Sequence, residues 1–189
     1  MNTDRRRHWE ERHREGAPGS PEPSLTEVLP LLPRGLALDI ASGLGRHAIA
    51  LAEAGHKVIA ADYSAPAALK LRNANAERRL AIYPVIADIE ETFPFRAASF
   101  DVVLNFTFLN RELVPRLIGA LRQGGMLLFD TFLIDQAVTG HPNDPAFLLR
   151  RGELREMLSA MELLRYREGI VTYPSGNTAW RAMALARRS

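Results

Sequence analysis

The sequence predicts an α/β protein: a doubly wound sheet of seven strands, mostly parallel, ending in an antiparallel C-terminal hairpin. Three observations predict it. Strand-length apolar runs alternate with helical patterns through most of the chain, which implies βαβ units. These runs are apolar at successive positions, the pattern of a parallel sheet covered on both faces. The last two β-like runs are joined by Thr172-Tyr173-Pro174-Ser175-Gly176, a turn-rich link of hairpin length.

The elements follow in order. Leu36 to Ala41 reads as the first strand, and Leu44 to Gly55 as a helix stopped by its glycine. Lys57 to Tyr63 is a second strand, and Ser64 is an N-cap for a helix running to Arg79. Leu80 to Asp88 gives a third strand whose start is weakened by Pro84. Ser99 to Phe106 gives a fourth, Arg111 to Gln123 a helix closed by Gly124-Gly125, and Met126 to Phe132 a fifth strand. Beyond a polar loop from Gly140 to Pro145, Gly152 to Met161 reads as a helix. The two hairpin strands follow, Leu163 to Val171 and Asn177 to Arg188.

Composition narrows the function. At 189 residues, 47% hydrophobic, the chain suffices for one globular domain with a proper core. With no cysteine, disulfides, thiolate nucleophiles and cysteine-based zinc sites are excluded, and no residue is assigned to a metal. The first sixteen residues are charged where a signal peptide needs an apolar run, and no run approaches the ~20 residues of a membrane span. A cytoplasmic location without membrane contact is the expectation. Net charge is only +2, and Glu10 and Glu11 interrupt the densest basic stretch, Arg5 to Arg14. Phosphate binding favours a clustered single-sign surface, so no nucleic-acid partner is expected.

The chemistry is concentrated in Asp39-Ile40-Ala41-Ser42-Gly43-Leu44-Gly45-Arg46, between the first strand and its helix. Glycine there lets backbone approach a ligand, and the helix N-terminus adds donors. Gly43, Gly45 and Ala48 also satisfy the dinucleotide pattern G-x-G-x-x-A, with Asp62 closing the second strand. An NAD(P)-dependent oxidoreductase is therefore an alternative. Three features weigh against it. Asp39 stands four residues before Gly43, where a pyrophosphate would meet only repulsion, while an ammonium or sulfonium would be attracted. Asp88 closes the third strand as a further carboxylate on the same sheet edge. The chain also leaves no room for a separate substrate domain, and it ends in a hairpin that a dinucleotide fold does not need.

Leu36 to Ser64 resembles the first two motifs of class I S-adenosylmethionine-dependent methyltransferases, which have a Rossmann-like fold. The resemblance continues through IADIEETFPF, SFDVVLNF and LRQGGMLLFDTF, covering about Leu36 to Phe132. Within that family the chain is most similar to the small bacterial tellurite-resistance-type enzymes, through HWEERH near the start and the late GELREML. One departure stands out: the first glycine of D-x-G-x-G-x-G is Ala41 here. The resemblance implies a methyltransferase domain over residues 35–189, behind lid or capping helices in residues 1–34.

What the resemblance implies can be set beside the chemistry of each residue. Asp39 would sit near the methionine amino group, and Ala41, Gly43 and Gly45 would line the cofactor through backbone atoms. Asp62 would accept both ribose hydroxyls, and Tyr63 would give the adenine an apolar platform. Asp88 and Ile89 would read the adenine edge, with Asn105 and Phe106 beside the sulfonium. His47 is read as packing, and Arg46 as facing solvent.

The implied reaction is in-line displacement of the cofactor's methyl group by a small-molecule acceptor. Alignment and exclusion of water are the protein's main contributions. A base is needed only where the acceptor must lose a proton, with His8, His13 and His141 as candidates, none preferred. Phe106, Phe108, Leu109 and Phe132 cluster at strand ends and point to an apolar acceptor pocket, or equally to core. A cofactor-binding protein without transfer activity is the remaining alternative.

Overall fold

The computed structural model describes residues 3–189; Met1 and Asn2 of the amino-terminal segment lie outside the described residues. Two helices lead in, α1 (Thr3–Glu15) and α2 (Pro23–Val28), the second followed by a 3-10 turn, Leu29–Leu31. The sheet then builds through β1 (Leu36–Ile40), α3 (Arg46–Glu53), β2 (Lys57–Asp62), α4 (Ala65–Arg78) and β3 (Ile82–Ile86). After β4 (Phe100–Phe106) come α5 (Val114–Ala120), β5 (Leu121–Phe132) and α6 (Gln136–Thr139). Helix α7 (Glu153–Met157) and the hairpin β6 (Glu162–Thr172) and β7 (Thr178–Arg187) complete the chain.

The seven strands form one sheet in the order β3-β2-β1-β4-β5-β7-β6. Strands β1 to β5 are parallel to their neighbours, while β7 lies antiparallel to both β5 and β6. Alternation along each strand feeds two cores. Leu38, Ile40, Val103, Leu127, Phe129 and Ala184 face one side, with α5 and α7. Ala37, Val58, Val102, Leu104, Leu128 and Leu185 face the other, with α2, α3 and α4. Burial on both faces is why these strands read as unbroken apolar runs.

Local chemistry explains most boundaries. Ser64 caps α4, its hydroxyl accepting from the Ala67 amide at 3.3 Å. Pro84, which cannot donate to a ladder, sits in the edge strand β3, paired on one side only. In the hairpin, Gly176 takes φ 83° and donates to the Tyr173 carbonyl at 2.9 Å, closing the turn that Pro174 opens.

Two boundaries differ from the sequence expectation. The helix expected through Gln123 stops at Ala120, because Leu121 pairs with Phe100 and extends β5 toward its amino end. The helix expected from Gly152 to Met161 is the short α7, Glu153–Met157. The Glu153 carboxylate is engaged by Arg111 Nε at 2.5 Å and by the Arg150 amide at 2.8 Å. These contacts hold its charge ionised, and its carboxyl falls to about 2, chiefly through the Arg111 bond.

Candidate functional site

In open α/β sheets ligands bind beyond the carboxyl ends of the strands, where strand order reverses. Here the order turns between β1 and β4, and the residues singled out from the sequence gather at that edge. The turn after β1 places three residues in the left-handed region within five positions: Ala41 at φ 48°, Gly43 at 51° and Gly45 at 81°. Gly45 must remain glycine for a second reason, since a Cβ there would lie 2.5 Å from Leu71 Cδ1 on α4. Ala41 adopts the same backbone region with a methyl group attached, at a cost of about 1–2 kcal/mol.

Asp39 lies on β1 between Ala60 of β2 and Leu104 of β4, and it is 1% exposed. Neither carboxylate oxygen makes a hydrogen bond of ordinary geometry among the described residues, the Ala48 backbone amide giving it only a weak one. Burial pushes the carboxyl up to about 7, against the lowering influence of the Ala48 backbone and the Arg46 guanidinium. A buried carboxylate without a partner is costly, and a bound cation is the species that relieves it.

Asp62 closes β2 and reaches across to the glycine turn. One oxygen accepts from the Gly43 amide at 2.8 Å and the other from the Ser64 amide at 2.9 Å. Each oxygen keeps lone-pair capacity for a further donor. Ser64, and not Asp62, caps α4. Tyr63 follows, half-buried. Past β3, Asp88 accepts from the Glu90 amide at 3.1 Å in the turn that follows, while the Ile89 side chain is buried in the core.

At the end of β4, buried Asn105 donates to the Phe108 carbonyl at 2.8 Å, which folds the loop back on itself. The Phe106 ring turns inward and stacks on His47 at 3.8 Å between centroids, so only its backbone borders the edge. His47 is packing, as read: it is buried, its Nε2 accepts from the Glu22 amide at 3.3 Å, and burial lowers it to about 2. Arg46 does not simply face solvent, because it pairs with Glu22 at 2.7 Å. Leu109 is core, and Phe132 lies beneath Arg181, whose guanidinium carbon is 4.5 Å from the ring centre.

The three histidines considered as bases separate sharply. His8 is exposed on α1 and His141 is exposed in the loop after α6. His13 is 8% exposed, with its Nε2 only 3.2 Å from where a Cβ on Gly43 would stand.

Several residues at this edge were not foreseen. Thr107, next after β4, takes φ 54°, unusual for a β-branched residue, while its hydroxyl donates to the Phe106 carbonyl at 2.7 Å. Behind it runs a buried polar network. Asp130 accepts from Arg181 Nε at 2.8 Å and from the Ser24 hydroxyl, while Glu22 accepts from Tyr173 at 2.9 Å. A sequence signal existed for part of it, since Asp130 and Arg181 are charges inside otherwise apolar strands. Glu22 and Ser24 lie in irregular sequence with no periodicity to mark them. Two cavities flank the sheet. One of about 680 Å³ lies between the amino-terminal segment and the hairpin tip, lined by Glu22, Arg46 and Tyr173 among others. One of about 280 Å³, beside Arg34 and His56, opens at the amino ends of the strands, away from the glycine turn.

Residues 37–125 match the methyltransferase-domain family. This match runs from β1 into β5 and takes in the glycine turn, Asp62 and Asp88. The same architecture occurs in solved structures of low identity. TehB from Haemophilus influenzae superposes with a TM-score of 0.77 at 21% identity, covering 89% of this chain, which spans 63% of that protein. An S-adenosylmethionine-dependent methyltransferase from Methanosarcina mazei gives 0.69 at 18%, covering 90% of this chain and 99% of its own length. Geranyl diphosphate C-methyltransferase from Streptomyces coelicolor gives 0.71 at 13%, covering both chains fully; its structure holds Mg2+, geranyl diphosphate and S-adenosyl-L-homocysteine. No curated protein sequence matches. No described helix is long and apolar enough to cross a membrane.

Proposed function

We propose that the chain is a class I S-adenosylmethionine-dependent methyltransferase that transfers the methyl group to a small-molecule acceptor, with the cofactor held along the carboxyl edge of β1, β2, β3 and β4. The observation that carries this is Asp39, a buried carboxylate at the turn of strand order with no hydrogen bond of ordinary geometry among the described residues. A cationic amino group is its natural complement, and it explains why a carboxylate stands where a pyrophosphate loop would have none. Ala41, Gly43 and Gly45 line the cofactor through backbone, and the spare lone pairs of Asp62 take the ribose hydroxyls. Tyr63 supplies an apolar face for the adenine, while Asp88 and the Ile89 backbone read its edge. Asn105 and the Phe106 backbone border the methyl-bearing end.

The bound cofactor supplies an already activated methyl group as its sulfonium. The chain's own task is then to bind, orient and exclude water.

A panel of small thiols, amines, phenols and chalcogen or arsenic oxyanions, assayed for release of S-adenosylhomocysteine, tests this reading. Release dependent on one of these acceptors is expected. Tight cofactor binding with no release to any small molecule, but release to a protein or nucleic acid, would overturn it.

A further inference from the structure

Helix α1 is not a loose terminal arm. Lys70 of α4 donates to the Arg14 carbonyl at 2.5 Å and to the Gly16 carbonyl at 2.7 Å. It thereby satisfies free carbonyls at the end of α1, where a cation is also favoured by the helix dipole. Gly16 lies close under Leu44 of the glycine turn, 3.1 Å from where its own Cβ would stand. These contacts carry one helical face, with Trp9 and His13 a turn apart and their ring centres 5.8 Å apart, onto the cofactor edge.

We propose that His13 is a cofactor-contacting residue, contributed by α1, which hydrogen-bonds the ribose side of S-adenosylmethionine opposite Asp62. Two independent observations carry it. The imidazole is buried against Gly43, whose amide is itself held by Asp62. Its Nδ1 is also buried with no hydrogen-bond partner among the described residues, a state that a ligand would resolve. Burial lowers the imidazole below its ordinary value, with the Asp62 carboxylate opposing and Arg12 and Lys70 adding to the fall. The ring is therefore neutral near pH 7, with one N–H to donate and one nitrogen to accept. A carboxylate can only accept from a hydroxyl, so a ribose diol bound by Asp62 still has lone pairs that call for a donor, which the imidazole has.

The inference rests on the cofactor placement above, and calorimetric titration with S-adenosylhomocysteine separates the two. His13→Phe keeps a ring against Trp9 but removes both nitrogens; the loss of one or two hydrogen bonds should raise Kd about tenfold or more. His13→Gln, which restores a donor and an acceptor, should recover part of the loss. His8→Ala, on the exposed side of the same helix, should bind as wild type. Thermal unfolding of each free protein identifies any variant that has lost its fold, and His13→Ala then serves in its place. If wild type binds and His13→Phe matches it, the role of His13 is overturned and the cofactor placement stands. If wild type does not bind, the cofactor placement itself falls.

Discussion

At the scale of single residues, Ala41 and Asp39 carry opposite burdens. Ala41 is a strained residue with no evident gain. Ala41→Gly removes a left-handed penalty of about 1–2 kcal/mol but adds chain entropy of about 0.5–1 kcal/mol to the unfolded state. The net should be a stabilisation of about 0.5–1 kcal/mol, or about 2–3 °C in Tm at this chain length. A lower melting temperature would show that the methyl group is packed to advantage. Asp39 is different, because its burden has a use. Its carboxyl sits near 7 in the fold and about 3.9 when unfolded, so the folded state holds the proton more tightly. That contribution is fully present below about pH 4 and is lost as pH rises through 7. In the free protein, Asp39→Asn should therefore exceed wild type in urea midpoint by a margin that grows from pH 5 to pH 8, while binding the cofactor less well. Equal midpoints at both values would mean that the carboxylate is not the uncompensated charge its surroundings imply. The sequence marked Asp39 by position; its missing partners are a tertiary property that no spacing could reveal.

At the scale of elements, the amino-terminal segment is fastened to the sheet by charge as well as by Leu25 and Val28. Ser24 and Arg181 both engage Asp130, tying the start of α2 to β5 and β7, and Arg46 and Tyr173 both engage Glu22. Arg181 is 2% exposed and Asp130 3%, so deleting one partner strands a buried charge. Arg181→Ala should cost about 3–5 kcal/mol of stability by chemical denaturation, and Arg181→Met combined with Asp130→Asn should recover much of it. A single substitution costing under about 1 kcal/mol would show that water reaches the pair. Helix ends were the least legible feature of the sequence. Leu121 to Gln123 continue a helical pattern, yet pairing with Phe100 draws them into β5, and Glu153 opens a helix far shorter than its sequence periodicity implied. Both outcomes depend on distant partners. Where the signal was local, as with Ser64, Pro84 or Pro174 and Gly176, sequence and structure agree for the same physical reason.

At the scale of the whole molecule, the parallel half of the sheet and the antiparallel hairpin divide the work. Strands β1 to β4 end at the edge proposed for the cofactor, and β7 against β5 brings Arg181 and Tyr173 back toward that edge. The strand pattern made this architecture readable because every central strand is buried twice, which leaves continuous apolar runs. The edge proposed for the cofactor is marked in the sequence by its strand-end carboxylates and glycine turn. The way α1 brings His13 onto Gly43 was not, since docking of a charged helix leaves little trace in composition. The central claim is that the Asp39, Gly43 and Asp62 edge is built for S-adenosylmethionine and not for a nicotinamide nucleotide. Calorimetric titration of wild type and Asp62→Ala with S-adenosylmethionine and with NADH and NADPH tests it most directly. The account predicts that wild type binds S-adenosylmethionine alone, and that Asp62→Ala weakens it by about 1–3 kcal/mol, from hydrogen bonds of a charged group. Binding of a nicotinamide nucleotide without S-adenosylmethionine, or an Asp62→Ala affinity equal to wild type, would contradict it.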